Sequence, residues 1–107
     1  MSLVTTHVLD TTAGRPAAGI PVRLEAKNDD WTEIAEDRTD DDGRVRELGP
    51  HTLPAGVYRL VFDIEAYAGP EAFFPEVTVA FRIADPTAHH HVPVLLSPFT
   101  YTAYRGS

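Results

Sequence analysis

The chain has 107 residues, a formal net charge of −7 and no cysteine. This length predicts a single domain over residues 1–107, and the negative charge disfavours nucleic acid or anionic membrane as a partner, because phosphate binding needs a basic surface. Without cysteine there is no disulfide, thiolate zinc site or cysteine nucleophile. The first residues lack the basic and apolar regions of a signal peptide, and no apolar run approaches a membrane span, so we expect a cytoplasmic protein.

Apolar and polar residues alternate over eight short segments, which predicts strands. The predicted strands span residues 3–9, 20–27, 31–38, 44–48, 57–64, 76–83, 89–96 and 99–105. Residues 10–18 and 49–56 are predicted loops, and residues 65–68 form the one predicted helix, of about one or two turns. Short strands at regular spacing indicate an all-β sandwich, but periodicity does not select one Greek-key topology among several.

Two residues in predicted strands of the first half of the chain could take part in catalysis. His7 shares a strand face with Leu3, Thr5 and Leu9, and by itself it resembles a half-buried structural histidine. Arg44 follows an acidic turn, so its simplest interpretation is a surface arginine paired with that turn. Arg46, two residues later, would share its face and is expected to be solvated.

Three consecutive histidines, His89, His90 and His91, could suggest a metal site. Neighbouring strand residues point to opposite faces, so His89 and His91 can converge, whereas His90 is expected to be exposed. Two histidines without a flanking carboxylate make a poor zinc site, and the acidic turns lack the spacing of a calcium loop. We therefore expect no metal.

The last residues, Tyr104, Arg105, Gly106 and Ser107, combine a phenol, a guanidinium, a flexible backbone and a hydroxyl. Chain ends are usually frayed, so this concentration of hydrogen-bonding groups is unusual. Strict alternation separates Tyr104 and Gly106 from Arg105 and Ser107. A site that used all four would need the segment to twist, which Gly106 could permit.

Three blocks in this order resemble the 5-hydroxyisourate hydrolases, also called transthyretin-related or transthyretin-like proteins. They are residues 3–10 with 14–17, residues 39–45, and residues 91–107. The resemblance implies a transthyretin-like (prealbumin-like) Greek-key β-sandwich of two four-stranded sheets with one short helix. It also implies a homotetramer, in which dimers form edge to edge and then pack face to face.

The implied reaction is hydrolysis of 5-hydroxyisourate, a product of urate oxidation, to 2-oxo-4-hydroxy-4-carboxy-5-ureidoimidazoline, with no metal or organic cofactor. The resemblance assigns catalysis to His7, Arg44, His91 and Ser107, and it assigns substrate binding to His7, Arg44, Tyr104, Arg105, Gly106 and Ser107. Which histidine is the base, and whether Ser107 has a chemical or a positioning role, stay open.

The alternative is a carrier, since transthyretin uses the same fold to bind thyroid hormones. The discriminating residues are the Tyr-Arg-Gly-Ser ending and the two site histidines, which the carriers lack. A purely structural sandwich ranks last, because it would need none of these groups.

Overall fold

Alternating apolar residues build two β-sheets that pack face to face in a computed structural model, which describes residues 2–107. The strands are β1 (Val4–Asp10), β2 (Arg15–Pro16), β3 (Pro21–Lys27), β4 (Trp31–Arg38), β5 (Arg44–Val45), β6 (Gly56–Asp63), β7 (Glu76–Ile83), β8 (His90–Ser97) and β9 (Thr100–Ala103). The helix α1 covers Ile64–Ala68. Within residues 2–107, no helix is long and apolar enough to cross a membrane.

The first sheet is organised around β1. Strand β8 runs parallel to β1 along one side, and β9 pairs with β8. The other side of β1 is divided between two short strands: β5 lies opposite Thr6 and His7, and β2 lies opposite Leu9 and Asp10. Residues of β5 and β8 therefore lie on either side of His7 in β1.

The second sheet has the order β4-β3-β6-β7, with antiparallel pairing throughout. The predicted all-β sandwich with one short helix is confirmed, and this sheet has the four strands expected. The first sheet has five, because the two residues of β2 pair within the stretch predicted as loop 10–18.

Two strands are shorter than predicted. The fourth predicted strand, residues 44–48, ends at Val45, because the chain turns to the N-terminus, where the Leu48 N–H donates to Ser2 Oγ at 2.7 Å. The last predicted strand, residues 99–105, is regular only over Thr100–Ala103. Beyond it, the chain still follows β8 through bonds from Tyr104 N–H to Pro93 O and from Gly106 N–H to His91 O.

The core lies between the sheets and fixes which side chains face outward. Val4 and Val8 of β1 are fully buried there, as are Phe62 of β6 and Val94 of β8. Thr6 shares this inner face and donates its hydroxyl hydrogen bond to Val92 O at 2.6 Å. Because strand side chains alternate, Thr5 and His7 belong to the outer face of the first sheet.

Candidate active site

Arg44 reaches the site through a tight turn. Gly43 has φ +75°, and a Cβ there would overlap the carbonyl oxygen of Val8, so glycine is required at this position. The Asp40 carboxylate accepts hydrogen bonds from the Arg44 N–H at 3.0 Å and the Asp42 N–H at 2.9 Å. The turn thereby places β5 against β1, with Arg44 directly opposite His7.

His91 reaches the same face from the other side of β1. In the parallel register between β1 and β8, Thr5 lies opposite His91 and His7 lies opposite Pro93. Three of the predicted site residues, His7, Arg44 and His91, thus come from adjacent strands of one sheet. Residues distant in sequence meet here because β5 and β8 both pair with β1.

Thr5 is a site residue that the sequence reasoning did not single out. Its Oγ1 lies 2.9 Å from His89 Nε2 and 2.8 Å from His91 Nδ1, so one hydroxyl joins two imidazoles. The two rings are nearly parallel, with centroids 6.2 Å apart. A signal was present, since Thr5 shares a face with His7, but its partners depend on the register of β8.

The electrostatic surroundings of His91 favour its neutral form. Burial is the first cause that lowers the pKa of His91 below its usual 6.5, followed by repulsion from Arg44, His89 and His7. A hydrogen bond with the backbone of Thr5 acts in the opposite direction. A neutral imidazole can accept a proton from water at neutral pH, which is what a general base must do.

Arg44 makes no ion pair within the described part of the chain. The acidic turn pairs instead with Arg46, which lies 3.8 Å from Asp40 and 3.6 Å from Asp42. The simplest sequence interpretation of Arg44, a surface arginine paired with this turn, is therefore wrong. Arg46 lies beyond β5, because this strand ends at Val45. Its side chain is exposed, as expected, and it contacts the carboxylates of Asp40 and Asp42.

A cavity of about 280 Å³ opens on this outer face. Its lining residues are Thr5, Thr6, Arg44, Val45, Arg46, His89, His91 and Ser107. Ser107 is thus brought beside the catalytic candidates. His7 borders Arg44 through the strand register and is half-buried.

Tyr104 and Arg105 line a neighbouring cavity of about 220 Å³, which they share with His91. The terminal segment therefore divides, with Ser107 on one side of His91 and Tyr104 and Arg105 on the other.

Gly106 lies against the His91 ring. Its φ is not in the left-handed region, so the backbone angle does not demand glycine. The limit is space, since a Cβ would lie 2.6 Å from His91 Cδ2 and 3.0 Å from Pro93 Cγ. Together with the 2.8 Å hydrogen bond from Gly106 N–H to His91 O, this packing positions the imidazole.

His90 is buried, and the expectation that it is exposed was wrong. It is only 4% exposed, and its Nδ1 lies 2.7 Å from Ala88 O. The reason is alternation along β8: His90 shares a face with Val92 and Val94, which point into the core. In residues 2–107, no three His, Cys, Asp or Glu side chains form a group that could hold a metal ion.

Comparison with known proteins adds a family to this geometry. A sequence model of the HIUase/Transthyretin family matches residues 4–106. This chain belongs to that family. A 5-hydroxyisourate hydrolase of Mus musculus is 47% identical over 113 residues, which cover 99% of this chain and 96% of the mouse protein.

Two solved structures show that the family fold serves proteins with different names. The Klebsiella pneumoniae 5-hydroxyisourate hydrolase superposes with a TM-score of 0.85 and 34% identity, covering 97% of this chain and 98% of that one. Sea bream transthyretin in complex with thyroxine superposes with a TM-score of 0.87 and 33% identity, covering 96% and 93%. Backbone similarity therefore does not separate a hydrolase from a transthyretin that binds thyroxine, and the side chains of the site must do so.

Proposed function

We propose that this protein hydrolyses 5-hydroxyisourate to 2-oxo-4-hydroxy-4-carboxy-5-ureidoimidazoline. The observation that carries the proposal is a histidine, His91, kept neutral beside an arginine, Arg44, that forms no ion pair with a carboxylate of the described chain. The hydrolases among the relatives, such as the mouse protein, support it through high identity over nearly the whole chain.

The chemistry needs a base for water, a cation for the developing oxyanion and a proton for the leaving nitrogen. Neutral His91 would remove a proton from water as the oxygen attacks the ring carbonyl carbon. The carbon–nitrogen bond then breaks, and an imidazole N–H returns the proton to the nitrogen. His7, on the same face of β1, is the second candidate for this transfer.

Arg44 would stabilise the negative charge that develops on the carbonyl oxygen. A guanidinium presents a planar fork of N–H donors and stays protonated, so it suits an oxyanion or a pair of substrate oxygens. An arginine without a carboxylate partner keeps these donors available. The loss of one such group typically costs ~10²–10³-fold in rate.

Ser107 lines the same cavity, where its hydroxyl would position substrate. Tyr104 and Arg105 border the second cavity, which meets the first at His91, so they are placed to contact a substrate that extends past the imidazole. Gly106 contributes by leaving room for the His91 ring. The proposed mechanism uses no metal and no organic cofactor.

A carrier function is the second candidate, because transthyretin with thyroxine shares the fold. A carrier needs a cavity that holds its ligand, and it has no use for a neutral histidine beside an unpaired arginine. Such perturbed groups cluster where chemistry occurs. The arrangement at His91 therefore favours the hydrolase.

We further propose a homotetramer of single-domain subunits, each comprising residues 1–107, as a dimer of dimers. In the subunit described by residues 2–107, β7 and β9 are edge strands with one side unpaired. Phe73 and Phe99 are 65% and 75% exposed, and their rings contact each other. Open edges beside exposed aromatic rings favour edge-to-edge association of subunits.

The decisive test measures turnover directly. Fresh 5-hydroxyisourate, generated by urate oxidase, decays spontaneously, and its ultraviolet absorbance reports the decay. Catalytic amounts of this protein should accelerate the decay severalfold or more, and an unchanged decay rate would contradict the hydrolase. Light scattering of the same sample tests the tetramer, which an active particle near 11.8 kDa would exclude. The cytoplasmic location stays a prediction that cell fractionation would test.

A further inference from the structure

The Thr5 hydroxyl lies between two imidazole nitrogens, 2.9 Å from His89 Nε2 and 2.8 Å from His91 Nδ1. Thr5 itself is only 4% exposed, so its hydroxyl is shielded from solvent, whereas His89 is exposed. The hydroxyl therefore bridges a solvated histidine and a more buried one in the site.

The number of protons restricts this bridge. A threonine hydroxyl has one proton to donate and lone pairs that accept, and a neutral imidazole protonates one of its two nitrogens. If both facing nitrogens lacked a proton, the hydroxyl could satisfy only one, and the other would face its lone pairs. At least one facing nitrogen must therefore carry a proton.

Three neutral arrangements satisfy both contacts, and in one of them both imidazole N–H groups donate to the two lone pairs of the Thr5 hydroxyl. The other two use the Thr5 proton and differ in which imidazole accepts it. In the first, His91 Nδ1–H donates to Thr5 and Thr5 donates to His89 Nε2, so His91 Nε2 is free to act as a base. In the second, His89 Nε2–H donates to Thr5 and Thr5 donates to His91 Nδ1, so His91 carries its proton on Nε2 and can act as an acid. The hydroxyl thus couples the state of His89 to the tautomer of His91.

We infer that Thr5 and His89 are positioning residues that form a proton relay behind His91, and that the relay sets whether His91 Nε2 acts as base or acid. The role in turnover rests on the proposed hydrolase function. When His91 Nε2 takes a proton from water, its Nδ1 proton passes to Thr5, and the Thr5 proton passes to His89 Nε2. His91 is then neutral with Nε2–H, and the positive charge resides on His89.

The charges around His91 favour this direction of transfer. Arg44 from β5 and His7 from β1 both act against a charge on His91, and burial does the same. Arg82 from β7 and Arg105 line the second cavity together with His91, so they add positive charge on that side of the imidazole. His89 is exposed to water, so a proton there is better solvated than one on His91.

The test uses nitrogen-15 NMR of the free protein, which reports the protonation of each ring nitrogen without any turnover. In the native protein, the His91 resonances should show a coupled titration with two steps, one of them following His89. In Thr5→Val, which keeps the branched shape but removes the hydroxyl, the His91 tautomer should become independent of His89, and only charge repulsion between the two rings should remain. Thr5→Ser should restore the coupling.

Thr11→Val is the matched control, since the Thr11 hydroxyl donates to Leu96 O at 2.7 Å in the same sheet and contacts no imidazole. It should leave the His91 titration unchanged. A native protein in which the His91 tautomer does not follow His89, or a Thr5→Val variant that retains the native tautomer coupling, would overturn the relay.

Turnover provides an independent readout. A general base contributes ~10²–10⁴-fold to the rate, and loss of the hydroxyl that sets its tautomer should remove part of this, so kcat/KM of Thr5→Val should fall by roughly 10–100-fold and its pH profile should change shape. Thr5→Ser should recover most of this loss, and equal rates for native protein and Thr5→Val would refute a role in catalysis. If the native protein fails to accelerate 5-hydroxyisourate decay while the coupled titration is present, the hydrolase proposal fails and the relay stands.

Discussion

Gly106 provides a sharp test of how the terminal segment contributes to the site, because alanine adds a single methyl group at a known distance from His91. The added Cβ would lie 2.6 Å from His91 Cδ2, and 3.0 and 3.3 Å from Pro93 Cγ and Cδ. The backbone angle of Gly106 is accessible to alanine, so strain in φ does not confuse the result. The perturbation is steric and acts on the ring proposed as the base.

The expected size of the effect follows from these distances. Carbon atoms in contact normally lie ~3.5 Å apart or more, so the His91 ring or the terminal segment must move by ~0.9 Å. The rigid proline ring of Pro93 limits movement of the segment. Because a misplacement of ~1 Å can cost ~10²-fold in rate, kcat/KM should fall by about that factor. Overpacking should lower the free energy of unfolding by ~1–3 kcal/mol at most.

The assay compares Gly106→Ala with Gly69→Ala for turnover of 5-hydroxyisourate and for Tm. Gly69, after α1, has φ +98°, and a Cβ added there would meet no atom of the described chain within 4 Å, so alanine introduces strain without touching the site. Gly69→Ala should lose stability and keep its kcat/KM, whereas Gly106→Ala should lose kcat/KM out of proportion to Tm. Native turnover by a folded Gly106→Ala protein would refute the packing argument.

Five further outcomes follow from the site. Alanine at each of three site positions should lower kcat/KM by on the order of 10²-fold or more: His7→Ala, Arg44→Ala and His91→Ala. The control His51→Ala, in an exposed loop, should leave kcat/KM unchanged. Equal activity of all four variants would mean that the active site is not on the outer face of the first sheet. Since the pKa of His91 lies below 6.5, kcat/KM should persist below that pH until His91 protonates, and an acid limb above 6.5 would contradict it. As the pH falls, His91 takes up a proton at a higher pH in the unfolded chain than in the folded protein, so Tm should fall as the pH drops from above 6.5 towards the lowered pKa. His91→Gln should flatten this dependence of Tm on pH. Deletion of Tyr104–Ser107 removes two backbone hydrogen bonds, so the free energy of unfolding should fall by ~1–3 kcal/mol and the protein should stay folded. The truncated protein should lose nearly all turnover. A native rate of turnover would show that this segment is not part of the site. Dialysis against a strong chelator should leave turnover intact. A loss of turnover that zinc restores would contradict the metal-free mechanism.

Much of the fold could be predicted because local alternation reports burial. The face of β6 that carries Tyr58, Leu60 and Phe62 is buried, as the alternation over residues 57–64 indicates, and outside the two shortened strands no predicted strand bound shifts by more than one residue. The two-residue strand β2 escaped prediction because pairing with β1, and not local propensity, makes it a strand. His90 was misplaced although its own alternation with Val92 and Val94 carried the answer.

The sequence by itself determined the strand periods and the residue types of the site, and through its motifs it pointed to His7, Arg44 and His91. It could not determine which residues contact each other, because β5, β1 and β8 meet through pairings between segments far apart in the chain. Only the tertiary structure decided that Arg46, not Arg44, pairs with the acidic turn, and that Thr5 joins His89 to His91. The physical reason is register: a shift of one residue between β1 and β8 would turn the opposite set of side chains to the outer face.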